Sequence, residues 1–330
     1  CNDNNCLDEV RILATRGGLY SISANGSRRF QPNSSPENAI GQPALNALSK
    51  ATLNSDQSGI LGTGYTSING VDKEFFTLTR APSQIDDDTG ETIGFRQNFS
   101  EAYQGDNLAM DPTGRLLARW GNSQTIKLYG QSGFQPTDIE WNTPASAEKR
   151  QVAFNSAGTH VGVVFSEDGI EKFRIYNLRS QDSFVDVSIP AACQVGPDME
   201  KAILPGHKHS GFAIATFKKE NDFFRPGLLQ IEPTSAQPGW AVTCEFLPTL
   251  PIDSMNVPAR IRPQQDFAAI AVPSNSSTQI LLLDTRGTHL QPFAKTSELP
   301  SVGSFSFSPS GDTLYYYDNQ TLYSLEVDSP

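Results

Sequence analysis

The sequence predicts an all-β chain assembled from a reiterated unit of about 50 residues. Three observations support this: a recurring strand–turn–strand grammar, second strands almost unbroken in apolar residues, and very little helical periodicity. The grammar is clearest at three places. NLAMDPTG at 107–114 runs into RLLARW at 115–120 and TIKLY at 125–129. VAFNSAG at 152–158 runs into HVGVVF at 160–165 and FRIY at 173–176, and FSFSPSG at 305–311 runs into TLYYY at 313–317 and TLYSL at 321–325. Weaker copies turn at Gly59, Gly211 and Asp266, so turns at 59, 114, 158, 211, 266 and 311 stand 44 to 55 residues apart. One mean period before Gly59 predicts a seventh turn near residue 9, ahead of apolar segments at 10–15 and 19–22.

Each element has a local physical cause. Pro presets φ early in a turn, Gly supplies φ > 0 at its end, and Asp or Asn bonds its own backbone. A second strand that is apolar on both faces must be covered on both, as when sheets stack on either side of it. Outer strands should alternate, and the segments at 92–96, 184–188 and 240–244 do. Four antiparallel strands per unit, repeated radially, make a β-propeller; seven second strands give seven blades. The N-terminal unit is expected to lack a first strand and the C-terminal unit a last one. Six blades remain if the N-terminal segment supplies the outer strand of the last blade. Only 44–52 and 145–150, each just after a proline, read as short helices. Residues 1–9 read as a flexible polar leader and 10–330 as a single propeller domain.

Composition narrows the class of function. The 330 residues carry 25 Lys and Arg against 36 Asp and Glu, a net charge of −11 with no basic run, so a phosphate backbone is repelled and nucleic acid is excluded as partner. No apolar run approaches the ~20 residues of a membrane-spanning helix. The cysteines at 1, 6, 193 and 244 lack the paired spacing of a zinc site. Cys193 and Cys244 lie 51 residues apart, close to one period, and so fall at similar places in adjacent units. They are a candidate disulfide if their Cα atoms come within the ~7 Å limit for a bridge. His207 and His209 are too few to hold a metal and read as a polar turn. The acidic run at 86–91 reads as a solvated hairpin tip. No Gly-x-Ser-x-Gly elbow and no phosphate-binding glycine loop occurs, so no catalytic residue, metal or cofactor is assigned.

The segments DPTGRLLA at 111–118 and FSPSGDTL at 307–314 resemble the F-S-P-D-G-x-x-L-A motif of WD40-like and TolB-type propellers. With their weaker copies they cover most of the chain. The Trp-Asp dipeptide is absent; its places hold Tyr129-Gly130, Tyr176-Asn177 and Leu283-Asp284. The resemblance implies a protein-binding platform, as in many relatives, although other propellers are enzymes. The start of the chain, Cys1 followed by NDNN, resembles a mature bacterial lipoprotein, which implies a lipid on the Cys1 sulfur and export to the outer membrane or periplasm. An unlipidated Cys1 would instead be a boundary residue able to pair with Cys6, in a secreted protein.

These readings converge on a non-catalytic interaction module or scaffold in a bacterial cell-envelope assembly. Its partners would be other envelope proteins or a large membrane-associated complex, with membrane contact only through the lipid. The alternative is a propeller enzyme or small-ligand binder using the central channel. The candidate interface is the segment 217–226, with Lys218, Lys219, Phe223 and Phe224, and the long insert at 80–91 is a second surface element.

Overall fold

The computed structural model describes the backbone of strands between Arg11 and Glu326 and the connecting residues 111, 124, 143–144, 155–159, 168–169, 178–180, 183, 189–195, 206, 211, 234–235, 239, 247, 308, 310–312 and 327, with side chains for most of these from Ala109 onward. These strands form seven antiparallel sheets, five of four strands and two of three. Among the described residues the helical content is one 3₁₀ turn, Ala191–Cys193, and no helix is long and apolar enough to cross a membrane. The chain divides into two compact units, Cys1–Tyr103 with Ser301–Pro330, and Gln104–Pro300.

The first unit opens with β1 (Arg11–Thr15), β2 (Gly18–Ser23) and β3 (Gly26–Phe30), then β4 (Leu48–Leu53), β5 (Gly59–Ile68), β6 (Val71–Arg80) and β7 (Gln97–Phe99). The second contains β8 (Asn107–Met110), β9 (Leu116–Trp120), β10 (Thr125–Gly130) and β11 (Pro136–Asn142), followed by β12 (Val152–Phe154), β13 (His160–Glu167), β14 (Ile170–Asn177) and β15 (Phe184–Ser188). Its third sheet is β16 (Lys201–Pro205), β17 (Phe212–Glu220), β18 (Phe223–Pro233) and β19 (Trp240–Phe246). Its fourth is β20 (Ala259–Ile261), β21 (Phe267–Ser274), β22 (Ser277–Asp284) and β23 (Gln291–Lys295). The first unit ends with β24 (Ser304–Phe307), β25 (Thr313–Tyr317) and β26 (Leu322–Glu326). Strand order within every sheet follows chain order, so each is an up-and-down meander.

Two expectations are corrected here. The apolar segment beginning at residue 10 is a first strand, not a second: β1 lies beside β4 and β24, the first strands of their own sheets. It pairs with β2 from Arg11↔Ile22 to Thr15↔Gly18, and this sheet has no fourth strand among the described residues. Residues 48–52 belong to β4 rather than to a helix, because pairing with Leu61–Gly64 of β5 overrides their local helical preference. Residues 145–150, 92–96 and 86–91 lie outside the described residues.

The turn between first and second strands is built the same way in three of the sheets. A short polar residue at position i closes a six-residue loop. Asp111 Oδ1 accepts the Leu116 amide at 2.6 Å, Asn155 Oδ1 the His160 amide at 3.0 Å, and Ser308 Oγ the Thr313 amide at 3.1 Å. In return the amides of Asp111, Asn155 and Ser308 donate to the carbonyls of Leu116, His160 and Thr313. At i+3, Gly158 and Gly311 take φ of 63° and 75°, a left-handed conformation that side chains resist. The third sheet of the second unit keeps only the backbone bond, Gly206 to Gly211. A Cβ on Gly206 would come within 2.7 Å of the Gly211 carbonyl carbon.

Within the second unit, β8, β12, β16 and β20 neighbour one another in that order, and the sheets stack face to face. Parity along a strand decides which neighbour each side chain meets. Phe212 and Ile214 of β17 pack with Phe173, Ile175 and Val187 of the preceding sheet. Ala213, Ala215 and Phe217 pack with Ile270, Leu281 and Leu283 of the following one. Likewise Val161 and Val163 of β13 join Trp120, Ile126 and Trp141, while Val164 joins the opposite core. Close approach is enforced at Gly162, where a Cβ would meet the Phe173 ring at 2.3 Å. The first interface also carries a polar joint. Tyr176 stacks on Trp141 with ring centroids 4.9 Å apart, and its hydroxyl donates to the Asn142 carbonyl at 2.8 Å. Burial, opposed by Arg174, pushes that hydroxyl's pKa up to about 12.

Asn155→Ala removes the acceptor for two amides and should destabilise the chain by about 1–2 kcal/mol in urea unfolding. A change below ~0.3 kcal/mol would show that the backbone bonds alone hold this turn.

Candidate docking hairpin of the second unit

In an up-and-down meander, the hairpins between second and third strands share one end of the stack with the connections between sheets. On that end β17 and β18 run past their sheet. β16 reaches only to Thr216 of β17, and β19 reaches only to Gly227 of β18. The two strands nevertheless continue pairing through Phe217↔Pro226, Lys218↔Arg225, Lys219↔Phe224 and Glu220↔Phe223.

A two-stranded ribbon without neighbours is marginal in water, so this extension needs external bracing. Phe217 anchors its foot in the core shared with β21 and β22. Lys218, half-buried, donates from Nζ to the Ala192 carbonyl at 3.1 Å and lies 5.4 Å from the Phe246 ring centroid. The opposite strand is braced by Arg225, whose planar fork donates to the Leu247 carbonyl at 2.8 Å and the Phe246 carbonyl at 3.0 Å and pairs with Glu220 at 3.1 Å. Gly227 makes room for the Phe246 ring, since a Cβ there would come within 2.3 Å of it. Lys219 is exposed.

The segment that receives Lys218 is itself fixed at both ends by Glu171 of β14. The Ile189 amide donates to the Glu171 backbone carbonyl at 3.2 Å, and the Val195 amide to Glu171 Oε2 at 2.9 Å. Glu171 is buried, and its other oxygen lies 2.6 Å from Lys201 Nζ of β16, so the charge is paired across two sheets. Between these fixed ends Cys193 Sγ is joined to Cys244 Sγ of β19, with Cα atoms 5.5 Å apart. The neighbouring β13–β14 hairpin reaches the same end through a two-residue turn, Asp168 and Gly169 at φ 52° and 75°, a backbone suited to a tight hairpin. Beyond the turn Ile170 is 46% exposed, beside the Glu167–Lys172 ion pair.

The residues singled out in the sequence fall as follows. Lys218 and Lys219 sit on β17, and the backbone of Phe223 and Phe224 forms the start of β18, their side chains lying outside the described residues. Cys193 and Cys244 meet; Cys1, Cys6, His207 and His209 lie outside the described residues. His160 is half-buried at the opposite end of its sheet, edge-on to Trp240 at 5.5 Å and 2.9 Å from Thr159 Oγ1. Burial first, and Arg179 second, hold its pKa below the ordinary imidazole value, so it stays neutral at neutral pH. No group of three metal-capable side chains gathers among the described residues. Sequence reasoning missed Glu171, Lys201 and Arg225. For Glu171 a signal existed, because it shares parity with Phe173 and Ile175 on the buried face of β14.

No protein-family model matches this chain, and no curated protein matches it significantly. Among solved structures, hydrazine synthase of Kuenenia stuttgartiensis matches at 12% identity over 99% of this chain and 98% of that one, with a TM-score of 0.65. The Swd1 β-propeller domain of Myceliophteria thermophila matches at 10% identity over 96% of each chain, with a TM-score of 0.57. U3-55K matches at 11% identity over 95% of this chain and 89% of that one, with a TM-score of 0.53. At these identities the likeness carries the fold alone, and that fold is the β-propeller.

Glu171→Gln leaves the Lys201 ammonium buried opposite a neutral group and should cost about 3–5 kcal/mol in urea unfolding, with Lys201→Met in the same chain restoring most of it. A loss under ~1 kcal/mol would mean the pair is solvated rather than buried.

Proposed function

We propose that this β-propeller is a non-catalytic interaction module, a scaffold in a bacterial cell-envelope assembly. Each of the seven sheets is read as one blade of a single domain spanning 10–330. A lipid on Cys1 holds it at the outer membrane or periplasm, and its partners are other envelope proteins or a larger membrane-associated complex. The observation that supports this reading is the β17–β18 extension, which projects four residue pairs past its sheet and is braced at Phe217, Lys218 and Arg225. A pre-ordered projection loses little further conformational entropy on association, which is what a docking element requires. Its backbone register sets two consecutive phenylalanines, the residue class that anchors interfaces, opposite Lys219 and Glu220. The acidic balance of the chain favours protein over nucleic acid as the bound surface.

The test is affinity purification from native membranes, comparing the wild-type chain with the Phe223→Ser/Phe224→Ser variant. Loss of aromatic anchors should lower partner recovery by about tenfold or more, and mass spectrometry of the same material should find the Cys1 peptide lipid-modified. Unchanged recovery would remove this hairpin as the docking surface, and an unmodified Cys1 would remove the lipid anchor.

A further inference from the structure

Resting on that reading of the hairpin, we propose that the Cys193–Cys244 disulfide is a redox lock on it: the bond fixes the carbonyl that tethers Lys218, so reduction loosens the docking element while leaving the sheets intact. Three features converge on one short stretch of chain. Ala192 supplies the acceptor for Lys218 Nζ, and its neighbour Cys193 is tied to β19. The ends of the stretch, Ile189 and Val195, are held independently by Glu171. Opening the bond therefore leaves the connection attached at both ends and frees only its middle, the part that carries the acceptor.

Apart from the packing of Cys193 in the core with Val187, Ile189 and Leu229, the stretch has few other restraints. Its 3₁₀ turn has no side-chain cap, and Gln194 bonds within the same segment, its side-chain amide to the Ile189 carbonyl and its backbone amide to those of Pro190 and Ala191. Cys193 is buried, whereas Cys244 lies on the outer strand β19 and is partly exposed, so a small thiolate reaches the Cys244 sulfur first. A dithiol reductant balances the step. Its thiolate attacks Cys244 Sγ, Cys193 leaves as thiolate and takes up a proton. The second thiol of the reductant then releases Cys244 and closes as a cyclic disulfide. Two electrons pass to the protein. Arg225, bonded to the carbonyls of Phe246 and Leu247, is untouched, so the expected response is a looser hairpin rather than an unfolded sheet.

Amide hydrogen exchange on the full chain tests this, comparing oxidised protein, protein reduced with dithiothreitol and alkylated, and the Cys193→Ser/Cys244→Ser variant. The amides of 217–225 should exchange about fivefold faster in both disulfide-free forms, the factor one ordinary hydrogen bond supports, with 212–216 unchanged. Oxidised Lys218→Met should show the same acceleration, and its reduction should add nothing more. Unchanged exchange of 217–225 after verified reduction would overturn the lock. So would acceleration spread equally through 160–176, which would make the bond a general staple, or additive effects of reduction and Lys218→Met. The two readings separate cleanly. A hairpin that loosens on reduction while Phe223→Ser/Phe224→Ser keeps its partners sinks the docking assignment alone. Partner loss in that variant with unaltered exchange on reduction sinks the lock alone.

Discussion

A hydrogen bond that a side-chain oxygen accepts from the amide five residues on is the constraint from which the rest of this structure follows. Asp111, Asn155 and Ser308 each use it to close the turn from a first strand to a second. Closing the loop at six residues fixes the register of the hairpin, and register fixes parity. A one-residue slip of β13 would turn Val161 and Val163 out of the core they share with Trp120 and Trp141 and put Gly162 and Val164 in their place. The turn is therefore a local device with a global consequence: it decides which face of each sheet meets which neighbour.

Once parity is fixed, differences among the sheets arise where strands outrun their partners. First strands as short as Val152–Phe154 and Ala259–Ile261 leave the longer second and third strands to continue as ribbons. The ribbons differ in how they are held. The β13–β14 hairpin is short and relies on a left-handed two-residue turn. The β17–β18 hairpin is longer and takes its support from carbonyl groups of segments distant in sequence, Ala192 on one side and Phe246 and Leu247 on the other. Lys218 and Arg225 thus act as struts for the tip as well as charges near it.

How much of this could be read in advance depends on where the chemistry resides. Turn positions were legible because Gly158, Gly311 and their polar partners are required by local backbone geometry. Continuous apolar runs such as 212–217 announced burial on both faces. The place of β1 was not legible, since a short apolar segment looks the same whether it is first or second in its sheet. Residues 48–52 were misread because alanine, leucine and lysine favour a helix until β5 offers a pairing edge. The candidate hairpin was found through its aromatic and basic residues, but its bracing was not, because a backbone carbonyl leaves no mark in a sequence. Cys193 and Cys244 sat one repeat apart in plain view, yet only coordinates bring their Cα atoms to 5.5 Å.

Residue-resolved hydrogen exchange of the native chain at the amides of Leu116, His160 and Thr313 tests the central claim most directly. If side-chain acceptors close the repeated turn, all three amides exchange slowly, at rates like those of the strands they begin. Exchange of all three at the rate of open loops would contradict the account at its root, since the side-chain acceptors would then not be what fixes the register on which the stacked faces depend.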